Sequence, residues 1–129
     1  MGYILVMASA AIADVQKCKM NLGKLTQGDM IAPEIFLMFD EAANKLQVLD
    51  TIISYFNKEQ PVDAKISAEK QASRSFDWAV LMVNSQSQRT KMKYHATLFF
   101  ANKQINVMAR PVGYNNTFSA TGTCAPYTG

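Results

Sequence analysis

The sequence predicts an all-β domain: an antiparallel barrel or sandwich of about eight short strands, the first and last joined by a disulfide. Three observations predict it. Runs rich in aromatic and aliphatic residues alternate with short polar or glycine-containing connections along most of the 129 residues. Within those runs apolar side chains recur at every second position, the period of a half-buried strand. The only two cysteines, Cys18 and Cys124, fall in the first and the last run.

The chain opens on an uncharged segment, Met1 to Ala13, with an apolar run (Ile4 to Met7) and a small-x-small pattern (Ala11-Ile12-Ala13). Residues 1–13 are therefore read as a signal peptide cut before Asp14, and 14–129 as one β domain in a periplasmic or secreted protein. The apolar run is too short to span a bilayer, which takes about 20 residues. No Lys or Arg precedes it, so either the leader starts further upstream or the segment is a buried first strand or helix.

A bond between Cys18 and Cys124 would close a loop of roughly 100 residues. The chain-entropy picture gives such a loop on the order of 4–5 kcal/mol, an upper figure. Disulfides persist in oxidising compartments, so leader and cysteine pair support each other; two free thiols are the alternative. Nothing points to a metal site: there is no CxxC, and the only histidine, His95, has no partner at ligand spacing.

The elements follow in order. Val15 to Met20 is a short strand carrying Cys18. Residues 21–33 read as loop, with Gly23, Gly28 and Pro33. Glu34 to Phe39 is a strand with Ile35, Leu37 and Phe39 on one face and Phe36 and Met38 on the other. Residues 40–45 form a hairpin turn in which Asn44 takes a left-handed conformation, and Leu46 to Leu49 returns.

Residues 41–56 carry two competing signals. Ala42, Leu46, Leu49, Ile53 and Phe56 recur at helical spacing, with Asp40 as a candidate N-cap. The β-branched Val48, Thr51, Ile52 and Ile53 and the aromatic pair Tyr55-Phe56 favour two short strands, the preferred reading.

Val62, Ala64 and Ile66 alternate with polar residues in a strand after Pro61, and Ser67 to Ser73 is read as one or two helical turns. Ser75 to Val83 is the strongest strand, with Phe76, Trp78, Val80 and Met82 inward. After a polar connection, 84–90, comes a strand from Met92 to Ala101, with Met92, Tyr94, Ala96, Leu98 and Phe100 on one face. Gln104 to Arg110 returns on Ile105, Val107 and Ala109. Phe118 to Cys124 closes the series.

The chemistry-bearing residues are few. A nucleophilic mechanism needs a nucleophile, a base and an orienter, and His95 has no local partner. Asp40-Glu41 is the adjacent acid pair, and a turn explains it. Phosphate loops and the HExxH, GxSxG and EF-hand patterns are absent. The protein is accordingly read as a non-enzyme without cofactor or metal. Its net charge of +3 is too small to argue for nucleic acid.

Arg89, Lys91, Lys93 and His95 alternate along one strand and so share a face, with Phe99 further on. Such a stripe suits an anionic partner, such as an envelope protein or an acidic polymer; solvated charges are the plainer reading. Apolar residues also occupy the second face of two strands: Phe36 and Met38 in one, Leu81 and Val83 in the other. These need cover from a second sheet, a helix or a partner subunit, so a homodimer is compatible. Asn115-Asn116-Thr117 matches a glycosylation sequon.

Several pieces together resemble a group of small exported two-cysteine proteobacterial proteins of unknown function. They are the early Cys strand, Phe39-Asp40-Glu41-Ala42, Phe76-Asp77-Trp78, Ser87-Gln88-Arg89-Thr90 and the ending Phe118 to Cys124. The resemblance implies export and fold, not activity. The plan is more remotely similar to the C-type periplasmic lysozyme inhibitors, compact antiparallel barrels with a disulfide near the chain ends. Their Ser-Gly-x-x-Tyr loop is absent here, so no inhibitory residue carries over. The expectation is a non-enzymatic exported binding module, with a small apolar-ligand carrier built on a barrel cavity as the alternative.

Overall fold

The computed structural model of the chain describes residues 14–23 and 30–128; the expected leader, residues 1–13, lies outside the described residues. The described residues form eight strands and one short helix: β1 (Asp14–Asn21), β2 (Glu34–Asp40), β3 (Lys45–Asp50), α1 (Thr51–Phe56), β4 (Val62–Glu69), β5 (Ser73–Val83), β6 (Arg89–Phe99), β7 (Gln104–Pro111) and β8 (Phe118–Pro126). Each strand pairs antiparallel with the next, and β8 pairs back onto β1. The result is a closed up-and-down barrel, which resolves the choice between barrel and sandwich.

Inward residues of all eight strands fill the barrel. Ile35, Leu37, Leu46, Val48, Phe76, Val80, Met92, Ile105 and Val107 are buried. Trp78 lies between Phe76 and Tyr94, its ring stacked on Tyr94 at 5.1 Å and on Phe76 at 5.8 Å.

The disulfide forms where the barrel closes. Cys18 and Cys124 are direct partners in the β1–β8 ladder, with Cα atoms 3.9 Å apart. The Cys124 amide donates to Lys103 O on the β7 side. Cys18 and Cys124 are thus a non-hydrogen-bonded pair, the closer of the two kinds in an antiparallel ladder. Two residues away, Gly122 faces Met20. A Cβ there would run into Lys19 O and sit 2.8 Å from Met20 Sδ. Gly122→Ala is therefore expected to cost about 1–3 kcal/mol by overpacking the seam, read as a lower urea midpoint at unchanged slope.

Two expectations need correction. Residues 51–56 are the helix α1, not a second strand, and its N-cap is Asp50 rather than Asp40. The reason is tertiary. The Asp50 carboxylate accepts from the Ile53 amide at 2.8 Å, and Ile53 is fully buried in the core. Burying that plug outweighs the weak propensity of β-branched residues against helix. Ser67 to Ser73 likewise holds no helical turn. β4 runs on to Glu69, paired with Arg74 across a register shift, and residues 70–72 only connect. Hairpin pairing with β5 wins there because the stretch has no apolar helical face to bury.

Asp50 carries a pH signature. Burial pushes its carboxyl up from the ordinary value of 3.8, only partly opposed by the Ile53 and Ile52 amides. Burial, and secondarily the Asp50 charge, push the Tyr94 phenol up as well. Tyr94 Oη donates to Met30 O at 2.7 Å. A carboxyl whose folded pKa is raised favours the folded state while protonated and loses that contribution as pH rises through the folded value. Asn also caps helices well. Asp50→Asn is therefore expected to gain on wild type in chemical-denaturation stability from acid to neutral pH. A gap that shrinks with rising pH would contradict the assignment.

Candidate functional site

The site is built on the two longest strands, β5 and β6, which pair over all eleven residues of each, and on β7 beside them. Because Phe76, Trp78, Val80, Met92, Tyr94 and Ala96 fill the core, the alternate residues must face solvent. On β6 these are Arg89, Lys91, Lys93 and His95, all exposed. The four residues of the predicted stripe thus share one outer face.

The register supplies neighbours that the stripe alone did not reveal. Lys93 is flanked by Ala79 on β5 and Arg110 on β7. Lys91 lies opposite Leu81, and Arg89 opposite Val83. His95 lies between Asp77 and Met108. Leu81, Val83 and Met108 are 50%, 41% and 41% exposed, so this face alternates cations with bare aliphatic surface. An open groove of about 570 Å³ runs over it, lined by Asp77, Ala79, Lys91, Lys93, His95, Met108 and Arg110 among others.

Among the described residues, Arg89, Lys91, Lys93 and Arg110 make no ion pair. His95 does have a partner: its Nδ1 lies 2.6 Å from Asp77 Oδ1, and both side chains are about half exposed. Sequence reasoning missed this contact, because Asp77 is eighteen residues away in the chain. The available signal was the alternation itself, which puts both residues outward on consecutive strands.

Two further features bound the site. On the β7–β8 side a second groove of about 590 Å³ is lined mainly by uncharged polar residues, including Thr97, Asn106, Ser119 and Thr121, and it shares His95 and Met108 with the first. At one barrel end an apolar mouth of about 390 Å³ is lined by Met30, Phe56, Met82, Met92, Tyr114 and Phe118, among others.

On the other expected apolar face the chain itself covers Phe36. Phe36 packs edge-to-face on Tyr127 at 5.0 Å, just past the end of β8. Leu81 and Val83 have no such cover. Asp40 ends β2 and Glu41 opens the β2–β3 turn, where Asp40 Oδ1 accepts from Ala43 N and Asn44 has a φ of 51°. No family model, curated protein or solved structure matches this chain.

Proposed function

We propose that the protein is a non-enzymatic, exported binding module that engages an anionic partner through the outer face of β5, β6 and β7. The observation that carries this reading is the set of unpaired cations. Lys91, Lys93 and Arg110 line one groove whose carboxylate, Asp77, is held by His95, and none of the three makes an ion pair among the described residues. Cations scattered on a surface usually find solvent or weak local partners. Three on adjacent strand positions repel one another unless an anion joins them. The disulfide fits an exported protein, periplasmic or secreted. The Asp77–His95 pair gives a base and its orienter, but among the described residues no hydroxyl or thiol is hydrogen-bonded to the imidazole, so binding is the better reading.

The test compares two charge-reversed proteins of equal net charge. Lys91→Glu/Lys93→Glu removes two cations from the groove. Lys19→Glu/Lys45→Glu does the same on the exposed surface of β1 and β3. The first is expected to abolish salt-dependent capture of anionic partners from an envelope extract, and the second to keep most of it. Equal losses would reduce the effect to net charge.

A second reading, a carrier of small apolar molecules, is favoured by the methionine- and aromatic-lined mouth. Buried side chains occupy the barrel axis, so such a ligand would sit at the mouth. Native mass spectrometry of freshly purified protein would show it as a bound mass.

A further inference from the structure

We infer that the anionic partner is a lipid surface: the outer face of β5, β6 and β7 docks onto a membrane bearing anionic headgroups. The inference rests on the reading of that face as an anion site and goes further by naming the chemistry that covers it. What decides is the pairing of charge with aliphatic surface. Leu81 is the register partner of Lys91, and Val83 of Arg89. Met108 is the partner of His95, one alternation along β7 from Arg110. Every exposed aliphatic on this face therefore stands beside a basic residue.

A hydrophilic polyanion, such as an acidic glycan, would neutralise the cations and leave Leu81, Val83 and Met108 against water. An uncharged apolar ligand would cover the aliphatics and leave Lys91, Lys93, Arg89 and Arg110 unpaired. An anionic lipid surface satisfies both sets at once. Its headgroups meet the ammonium and guanidinium groups, and the short aliphatic side chains enter the boundary between headgroups and acyl chains. The long stems of Lys and Arg allow this, because their charged ends reach the headgroup level while their methylenes lie along the apolar layer. The elongated shape of the patch follows from the long β5–β6 hairpin, along which charges and aliphatics advance together from Asp77 and His95 to Val83 and Arg89.

The experiment is co-sedimentation of the oxidised protein with vesicles of pure phosphatidylcholine and of phosphatidylcholine containing phosphatidylglycerol, alongside retention on immobilised soluble polyphosphate. Wild type is expected to bind the anionic vesicles, not the neutral ones, and to release with salt. Leu81→Ser/Met108→Ser is expected to weaken vesicle binding on the order of tenfold while leaving polyphosphate retention unchanged. Lys91→Glu/Lys93→Glu is expected to lose both. All four positions are exposed, and circular dichroism checks that each variant keeps the wild-type fold. Retention on polyphosphate without vesicle binding would overturn the lipid surface and leave the anion site standing. Binding to neither would overturn both.

Discussion

Cys18→Ala is expected to lower the stability of the protein by about 2–5 kcal/mol while leaving its strand content largely intact in the cold. The bond closes a loop with a sequence separation of 106, so its removal releases a large denatured ensemble. The native barrel loses little in exchange. Cys18 and Cys124 remain in a ladder that runs from Gln16–Pro126 to Asn21–Thr121. Urea unfolding followed by far-UV circular dichroism measures the difference. Reductant should bring wild type down to the variant and leave the variant unmoved. Thiol titration of the native protein supplies the independent check: two reactive thiols would remove the bond from the account.

Trp78→Ala is expected to cost about 3–5 kcal/mol, because it empties the centre of the aromatic stack. Trp78 is 4% exposed, between Phe76 and Tyr94, each itself almost wholly buried. Tyr94 in turn holds the backbone at Met30, so loss of the ring loosens one barrel end as well as the core. Tyr114→Ala is the control: that residue is 62% exposed, and its change should stay within about 0.5 kcal/mol of wild type. Since the only tryptophan is removed, circular dichroism rather than fluorescence must report the transition. A small shift for Trp78→Ala would mean that the core collapses around the gap.

These two residues also show what could be read without coordinates. Alternation alone placed Phe76, Trp78, Val80, Met92, Tyr94 and Ala96 inside, because a strand offers its residues only two faces. The positions of the cysteines implied that first and last strands meet. Alternation is identical in a sandwich and a barrel, so closure had to come from the β8–β1 pairing. The helix at 51–56 was hidden because its cause lies outside it, in a capping carboxylate from β3 and a barrel end that Ile53 fills. The candidate site divides in the same way. Arg89, Lys91, Lys93 and His95 share one strand, and their spacing gave them away. Arg110, Asp77 and Met108 join them only through the registers of neighbouring strands.

The single disulfide makes the chain between Cys18 and Cys124 a covalent ring. Its connections include the exposed segments at 41–44, 84–88 and 112–117, places a protease would reach first. One cut in any of them leaves a single molecule, since the two pieces stay joined through the sulfurs. Each strand beside the cut also keeps its ladder with its other neighbour. A once-nicked molecule thus travels as one species until it meets reductant. In a compartment where proteases are abundant and thiols scarce, that bond preserves the assembled barrel as well as its stability.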